Sequence, residues 1–388
     1  MSGKLRVLVV DDSVVVRRML SEMLSSNAAI ESVSTASNGK IALARIPQIN
    51  PDAIVLDVEM PEMDGLQTVA AIRRINKTLP VIMFSTVTAR GASATLDAIA
   101  LGANDYVTKP STRSGTVGQL GLVYQELLDK IKAHCHFEAT PFEASSSNSS
   151  ALRRSIPRLA AAPALVLPGV NPAQAPSVAY EPIETIAIGV STGGPNALAA
   201  LLPCFPSDLP VPVFIVQHMP RLFTKLLAER LTSKTRIPVR EACPGDVVVP
   251  GRMWVAPGDY HMIVKRLGTR VIVQTHQSPH ENSCRPAVDP LFRSIADTYG
   301  PRALGVILTG MGQDGLRGCE AIVACGGHIL AQDEASSVVW GMPGFVARAG
   351  LAEKVVPLSE LGEEILRRTR KAEVSARVRT LTGAGAEL

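Results

Sequence analysis

The feature that most constrains the fold is a series of solid apolar runs, most of them ending in polar residues. In the first 110 residues these runs are LRVLVV at 5–10, AIVLD at 53–57, PVIMFS at 80–85 and NDYVTKP at 104–110. Segments with the apolar spacing of an amphipathic helix lie between them, at 14–24, 65–75 and 92–101. A strand that is apolar on both faces must be covered on both faces. The alternation therefore predicts a parallel sheet with helices on either side.

This pattern stops near residue 137 and resumes at residue 183. The intervening stretch begins with EASSSNSS and continues rich in Ala and Pro, which is typical of a linker. Further apolar runs follow at 183–190, 211–218, 252–257, 261–265, 270–275, 303–310 and 327–333. The sequence thus predicts an α/β protein with two doubly wound parallel-sheet domains joined by a flexible linker. The predicted boundaries are 4–130, a linker over 131–181, 182–370, and a disordered tail over 371–388.

Composition narrows the possible functions. A net charge of +4 over 388 residues and an aromatic content of 4% do not favour nucleic-acid binding. The six cysteines form no C-x-x-C pair, as expected for reduced thiols. No run approaches the ~20 apolar residues of a membrane span, and the first residues do not resemble a signal peptide. We therefore expect a cytoplasmic protein.

Residues of reactive types stand at the ends of four runs in the first domain: Asp11 and Asp12, Asp57, Ser85, and Lys109. The carboxyl ends of parallel strands meet at one edge of a sheet, so these side chains should converge. Clustered carboxylates need a cation, and oxygen ligands suit Mg²⁺. Asp57 could then attack a phosphoryl donor, while Lys109 pairs with phosphoryl oxygens and Ser85 hydrogen-bonds to another. The competing interpretation is that acids at strand ends are helix N-caps.

A second set of reactive residues stands at strand ends in the second domain. Gly189-Val-Ser191-Thr-Gly193 matches G-x-S-x-G at a predicted strand-to-helix turn, which would expose a serine hydroxyl. Such a turn also suits a phosphate-binding loop or a helix N-cap. His218 ends the next strong run, VPVFIVQH, and so falls on the same sheet edge as Ser191. Histidine is the usual base for a serine nucleophile at neutral pH.

Asp314 follows the run ALGVILTG and a glycine-rich turn on that edge. A buried carboxylate there would orient the imidazole, although Asp314 could instead N-cap the next helix. The glycines around Met311 would bring backbone N–H groups close to a substrate, as an oxyanion hole requires. The order Ser, His, Asp differs from that of the α/β-hydrolases. These residues predict a serine hydrolase.

Residues 4–130 resemble a two-component receiver domain, on the strength of the strand-end residues and of MPEMDG after Asp57. The resemblance implies a flavodoxin-like fold in which Asp57 accepts a phosphoryl group. It also implies that Asp11, Asp12 and Asp57 bind Mg²⁺. The switch that responds to the phosphoryl group would consist of Ser85, Tyr106 and Lys109.

Residues 182–370 resemble the catalytic domain of the CheB family of chemotaxis methylesterases, a Rossmann-like fold. The motifs that carry this resemblance are STGGP (191–195), QHMP (217–220), RPAVDPLF (285–292), LTGMGQDG (308–315) and QDEASSVVWGMP (332–343). By this resemblance Ser191 is the nucleophile, His218 the base and Asp314 its orienting partner. The amides of His218 and Met311 would form the oxyanion hole, and Thr192 would help to position the histidine. GFVARAG, which follows GMP, departs from the family pattern.

Together the two resemblances imply an esterase that is switched on by phosphorylation. It would demethylate glutamate methyl esters on methyl-accepting chemoreceptors and deamidate receptor glutamines, after phosphorylation by a CheA-type histidine kinase. It would contact the membrane only through the receptors and would bind no nucleic acid. Two alternatives remain open at this point: the same chemistry on receptors of a pathway other than chemotaxis, or a receiver-controlled scaffold without turnover.

Overall fold

The structure, a computed structural model, describes residues 4–110, 117–135, 137 and 182–369. The predicted linker falls mainly outside these residues, and the predicted tail over 371–388 lies entirely outside them. Within the described part of the chain, no helix combines the length and the apolarity that a membrane crossing requires.

The N-terminal domain is a five-stranded parallel sheet with helices between the strands. Its strands are β1 Leu5–Val10, β2 Ile30–Ala36, β3 Ala53–Asp57, β4 Val81–Ser85 and β5 Asp105–Thr108. Their order is β2-β1-β3-β4-β5, the flavodoxin-like arrangement. Its helices are α1 Val14–Ser25, α2 Gly39–Ile49, α3 Gly65–Ile75, α4 Ala89–Ala100 and α5 Val117–His134. Helix α5 continues to His134, so the predicted domain boundary at 130 falls inside it.

The first four helices begin with side-chain caps that are not the acids at the strand ends. In each case an oxygen of the cap accepts a hydrogen bond from a backbone N–H in the first turn, and the caps are Ser13, Asn38, Asp64 and Thr88. Asp11, Asp12 and Asp57 therefore do not serve as N-caps, and the competing interpretation of these acids is wrong.

The C-terminal domain is a seven-stranded parallel sheet in the order β14-β13-β12-β6-β7-β9-β8. Its strands are β6 Thr185–Val190, β7 Val213–Gln217, β8 Val239–Glu241, β9 Met253–Val255, β12 Ala303–Ile307, β13 His328–Gln332 and β14 Lys354–Val356. Its helices are α6 Gly194–Leu201, α7 Phe223–Lys234, α8 Val288–Tyr299, α9 Leu316–Ala324 and α10 Met342–Arg348, and a last helix covers 358–369. The predicted fold class of two parallel-sheet α/β domains is confirmed.

Two of the predicted strands do not join the parallel sheet. β10 His261–Leu267 and β11 Arg270–His276 form a separate antiparallel hairpin, which packs against α8. The chain proceeds from β6 to one side of the sheet and returns on the other side at β12. The carboxyl ends of β6 and β12 therefore flank a topological switch point, where α/β sheets form their binding crevices.

The two domains contact each other through α4 and α7. Leu96 and Ile99 of α4 belong to the same buried apolar cluster as Leu227 and Leu231 of α7. Arg230 of α7 adds polar contacts across this boundary, which are described with the site below. The apolar packing explains how α7, which follows His218 in the chain, comes to lie against the N-terminal domain.

Candidate active site

Ser191 lies in a tight turn directly after β6. Its amide donates to the Thr309 carbonyl at 3.0 Å, and its own carbonyl accepts from Gln217 Nε2 at 2.9 Å. Gly193 has φ +77, a left-handed conformation that favours glycine. A Cβ at Gly310 would lie only 2.8 Å from the Ser191 Cβ. Position 310, which follows β12, therefore has room only for glycine. These contacts fix the position of Ser191 at the switch point.

His218 follows β7 and presents its ring to the same edge of the sheet. Its Nε2 lies 2.7 Å from Asp314 Oδ2, and its Nδ1 lies 3.5 Å from Cys284 Sγ. Burial by itself disfavours the charged imidazole. The hydrogen bonds to Asp314 and Cys284 outweigh that effect and raise the pKa of His218 above its ordinary value. This ring is therefore a stronger base than a free histidine.

Asp314 is a buried carboxylate held by several donors. Its oxygens accept from the amides of Val288 at 2.6 Å, Asp289 at 3.2 Å and Gly315 at 3.0 Å. Val288 is the first residue of α8, so the positive end of that helix faces the carboxylate. Burial opposes the charge, but the hydrogen bond and charge of His218, together with these donors, lower the pKa of Asp314. Asp314 is therefore held ionised beside the imidazole.

The structure joins the acid and base of the predicted triad by a hydrogen bond, and the nucleophile lines the same cleft as the base. Within the described residues, the ring nitrogens of His218 contact Asp314 and Cys284, and no hydrogen bond joins the ring to Ser191. Since Nε2 is occupied by Asp314, Nδ1 is the nitrogen that remains for the serine proton. Catalytic hydrogen bonds of this kind often form only when substrate is present.

The expected oxyanion hole is only partly available. The His218 amide donates to the Val190 carbonyl at 3.2 Å and, contrary to the expectation from the resemblance, is not free to bind an oxyanion. The Met311 amide makes no hydrogen bond to any described residue and remains available. The Thr192 carbonyl accepts from Thr309 Oγ1 at 3.0 Å, but within the described residues Thr192 makes no hydrogen bond to His218. Thr192 therefore helps to hold the turn, and its expected part in positioning the histidine stays a prediction.

A cleft of about 540 Å³ opens over these groups, and both domains line it. The C-terminal domain contributes Ser191, His218 and Met311, whereas the N-terminal domain contributes Tyr106 and Lys130. Two further lining residues, Asn282 and Cys284, were not predicted from the sequence. In the sequence these two residues lie in a short polar stretch between a strand and a helix. Such a stretch predicts a turn but does not predict which residues the turn contacts.

The N-terminal domain contacts the nucleophile turn directly. Asp105 Oδ2 accepts from the Gly193 amide at 3.3 Å, at the start of α6. Asp105 is itself buried and paired with Lys130 and His134. Burial raises the pKa of Asp105, whereas the charge of Lys130 and the hydrogen bond to His134 lower it, and the net result is a pKa of about 2.

Aromatic and ionic contacts extend the same boundary. The ring of Tyr106 stacks on that of Phe223, with centroids 4.7 Å apart. Arg230 Nη2 donates to the Ser93 carbonyl at 2.8 Å and to Asp97 Oδ1 at 2.7 Å. The N-terminal domain therefore forms one wall of the cleft and holds its position by specific contacts.

The predicted acidic cluster forms at the edge of the first sheet. Carboxylate oxygens of Asp11, Asp12 and Asp57 lie within 4.8 Å of one another. Lys109 Nζ bridges two of them, at 2.7 Å from Asp11 and 2.8 Å from Asp57. Burial raises the pKa of Asp57 to about 6, although Lys109 acts against this shift. Three hard oxygen donors around a partly compensated charge fit Mg²⁺.

Two of the three predicted switch residues, Ser85 and Tyr106, are buried in the receiver domain. Ser85 is buried, and its hydroxyl donates to the carbonyls of Gly91 at 3.2 Å and Thr86 at 3.3 Å. Tyr106 is also buried, because its ring lies against Phe223. Ser85 therefore holds the start of α4, and Tyr106 holds the domain boundary.

Comparison with known proteins identifies a known family for each of the two domains. Residues 186–365 match the family model "CheB methylesterase", and residues 7–118 match "Response regulator receiver domain". The chain is 52% identical over 94% of its length to a protein-glutamate methylesterase/protein-glutamine glutaminase of Trichodesmium erythraeum, covering 99% of that protein. It is 47% identical to the protein of that name from Nocardioides sp., over 96% of this chain and 97% of the other.

Among solved structures, the Thermotoga maritima CheB methylesterase catalytic domain is similar at 39% identity, with a TM-score of 0.47. The match covers 48% of this chain and 98% of that domain. The assignment rests on the full-length sequence relatives, because their alignments cover nearly all of this chain, including both of the segments that match the family models. The chain therefore belongs to the CheB family of receiver-linked protein-glutamate methylesterases/protein-glutamine glutaminases.

Proposed function

We propose that this protein hydrolyses glutamate γ-methyl esters on methyl-accepting chemoreceptors, deamidates receptor glutamines, and is activated by phosphorylation of Asp57. The observation that carries the proposal is the hydrogen-bonded pair of His218 and Asp314 beside Ser191 at the switch point of the second sheet. A buried, ionised carboxylate that orients an imidazole beside a serine turn is the arrangement that acyl transfer needs.

In the proposed reaction, Ser191 Oγ attacks the ester carbonyl carbon and His218 Nδ1 takes the hydroxyl proton. The amide of Met311 donates to the oxyanion of the tetrahedral intermediate. His218 then returns the proton to the departing methoxide, and methanol leaves. Water, deprotonated by His218, attacks the acyl-enzyme. The bond between the acyl carbon and Ser191 Oγ breaks, His218 returns the proton to Ser191, and the receptor glutamate is released. With a glutamine substrate, ammonia leaves instead of methanol.

The proposed control acts through the wall that the receiver domain contributes to the cleft. Asp11, Asp12 and Asp57 would hold Mg²⁺, which when bound would offset negative charge at the phosphorylation site. A CheA-type histidine kinase would donate the phosphoryl group to Asp57. Ser85 and Lys109 would then bind its oxygens, and Ser85 would release the carbonyls at the start of α4. Movement of α4 and Tyr106 would break their contacts with α7 and open the cleft.

The proposed substrate indicates where the protein acts, and the site geometry bears on the two alternative functions given above. The substrate would be the cytoplasmic part of a receptor, so we propose a cytoplasmic protein that meets the membrane only through receptors. A scaffold without turnover has no need of an ionised Asp314 that holds His218. A receptor outside chemotaxis would meet the same site, and the choice between the two depends on the substrate supplied.

The deciding experiment measures methanol release from membranes that carry methylated chemoreceptors, with and without a small acyl-phosphate donor and Mg²⁺. We expect release that increases when the donor is added. No release from the wild-type protein in either condition would reject the esterase proposal in favour of a scaffold. Release that ignores the donor would reject the proposed control.

A further inference from the structure

A two-residue turn contacts both the acid and the base of the proposed triad. Glu281 and Cys284 form an antiparallel bridge, in which each amide donates to the other residue's carbonyl. The two residues between them are left-handed, with φ +50 at Asn282 and +63 at Ser283. Asparagine adopts this conformation more readily than most residues, and it is common in two-residue turns. The turn places Asn282 at Asp314 and Cys284 at His218.

The side-chain amide of Asn282 joins two buried carboxylates. Its Nδ2 donates to Asp314 Oδ1 at 2.8 Å and to Asp289 Oδ2 at 2.9 Å. Because both neighbours are acceptors, only the amide nitrogen can face them, and both of its hydrogens are used. Asp289 Oδ1 accepts from the Gly318 amide at 2.7 Å. Within the described residues, Asp289 has no salt bridge to a cation, so Asn282 separates two carboxylates that would otherwise repel each other.

We propose that Asn282 is a positioning residue of the hydrolytic site, which holds Asp314 in the orientation that directs His218 toward the nucleophile. This inference rests on the proposed function, since it assigns Asn282 a part in the same reaction. Asn282 acts through Asp314 and does not touch the reacting atoms. Loss of its amide leaves Asp314 with one donor fewer, so that the carboxylate becomes more basic and pulls harder on the imidazole proton.

The choice of variants follows from the backbone. Asn282→Gly removes the amide but retains a residue that adopts positive φ without strain. Asn282→Asp keeps the shape of the side chain, removes both donated hydrogens and adds a third carboxylate. The control is Asn50→Gly, the same exchange at a left-handed asparagine that ends α2 in the other domain.

The titration of His218 also depends on the other titratable and charged groups around the acid–base pair in the described part of the chain. The turn supplies Cys284, α8 supplies Asp289 and Arg293, and α9 supplies Cys319. The receiver wall of the cleft adds Asp105, Glu126 and Lys130, and the loop after β11 adds His280 and Arg285. None of these groups is altered in the Asn282 variants, so a change in the titration of His218 reports the loss of the Asn282 amide.

The experiment uses the full-length protein and two readouts. In methanol release with phosphodonor, Asn282→Gly should lower kcat by about 10- to 100-fold with KM unchanged. The acid limb of kcat/KM should move to higher pH, and further in Asn282→Asp. Asn50→Gly should match the wild type. In NMR titration of His218, which needs no turnover, the midpoint should rise in the order wild type, Asn282→Gly, Asn282→Asp.

The outcomes separate this inference from the proposed function. An unchanged His218 midpoint in both variants overturns the positioning inference, and so does a lower rate explained wholly by a lower melting temperature. Absence of methanol release from the wild type overturns the proposed function alone, because the NMR titration still tests the contact between Asn282 and Asp314.

Discussion

The ring of Tyr106 in the receiver domain lies parallel to the ring of Phe223 in the catalytic domain, with an interplanar angle of 8°. Tyr106 follows Asp105, which bonds to the turn of Ser191, and Phe223 begins the helix that follows His218. One short segment of the receiver thus contacts the chain next to the proposed nucleophile and the chain next to the proposed base. Any change that moves this segment therefore affects the surroundings of both the proposed nucleophile and the proposed base.

Phe223→Leu should weaken the closed arrangement. The exchange keeps an apolar side chain but removes the stacked ring, and such pairs contribute about 0.5–1.5 kcal/mol beyond the area they bury. We expect methanol release without phosphodonor to rise by roughly 2- to 10-fold, and the stimulation by phosphodonor to fall by a similar factor. Phe214→Leu is the matched control, because Phe214 is equally buried but stacks on Trp254 within the catalytic domain. Equal donor stimulation in Phe223→Leu and the wild type would contradict the role of the stack.

Removing the whole receiver domain should also increase methanol release in the absence of phosphodonor. A protein comprising residues 180–388 lacks the wall formed by Tyr106 and Lys130. We expect it to release methanol faster than the unphosphorylated full-length protein and not to respond to phosphodonor. The comparison should be made at equal concentrations of folded protein, measured by circular dichroism. If the shortened protein is no faster, the receiver does not restrict the cleft.

Much of both sites was predictable because a parallel sheet gathers the carboxyl ends of its strands at one edge. That geometry brings Asp11 beside Asp57, and it places Ser191 and Asp314 after neighbouring strands, without knowledge of any side-chain contact. It also explains an error. β7 pairs with β6 through its last residue, and the ladder continues to the amide of His218, which is therefore bonded to Val190.

Contacts between the two domains could not be predicted from the periodicity of apolar residues in the sequence. The stack of Tyr106 on Phe223 depends on how two complete domains pack, and strand patterns describe each domain alone. Asn282 is a different case. Its position in a turn was foreseeable from a polar loop, but its contacts with Asp289 in α8 and with Asp314 before α9 depend on how the loop folds back, which local sequence does not specify.

Ser191→Ala should abolish turnover without disturbing the fold. The serine hydroxyl makes no hydrogen bond to His218, so its removal leaves the acid–base pair intact. By analogy with other triads, methanol release should fall by about 10⁴-fold or more. The melting temperature and the rate of Asp57 phosphorylation should match those of the wild type. Near-normal methanol release from this variant would exclude Ser191 as the nucleophile.

Asp314→Asn should change both the rate and its pH dependence. His218 must be neutral to accept a proton, so activity falls as the pH drops through the pKa of its imidazole. Burial lowers that pKa, and the hydrogen bonds to Asp314 and Cys284, together with the negative charge of Asp314, more than reverse the effect. An uncharged amide at 314 removes the negative charge of Asp314 and replaces its charged hydrogen bond, which is the largest single effect that raises this pKa. The rate should fall by about 10⁴-fold, and the acid limb of the residual activity should move to lower pH. A limb that stays in place or moves to higher pH would contradict this assignment.

Asp57→Asn should stabilise the receiver domain above pH 6. The pKa of Asp57 is raised from 3.8 to about 6 in the folded protein, so the folded state binds a proton that the unfolded state has lost. The contribution of Asp57 to wild-type stability therefore declines as the pH rises from about 4 to 6, by about 3 kcal/mol for a shift of this size. The asparagine variant has no ionisable group at position 57, so its stability should not decline in this way, although it lacks the ion pair with Lys109.

The measurement is urea unfolding of wild type and Asp57→Asn at pH 4 and pH 7, with and without Mg²⁺. The stability difference between variant and wild type should shift in favour of the variant from pH 4 to pH 7. Mg²⁺ should restore part of the wild-type stability at pH 7, because the cation offsets the charge of the three carboxylates, and it should have less effect on the variant. A difference that is the same at both pH values would show that burial does not hold Asp57 away from its charged form.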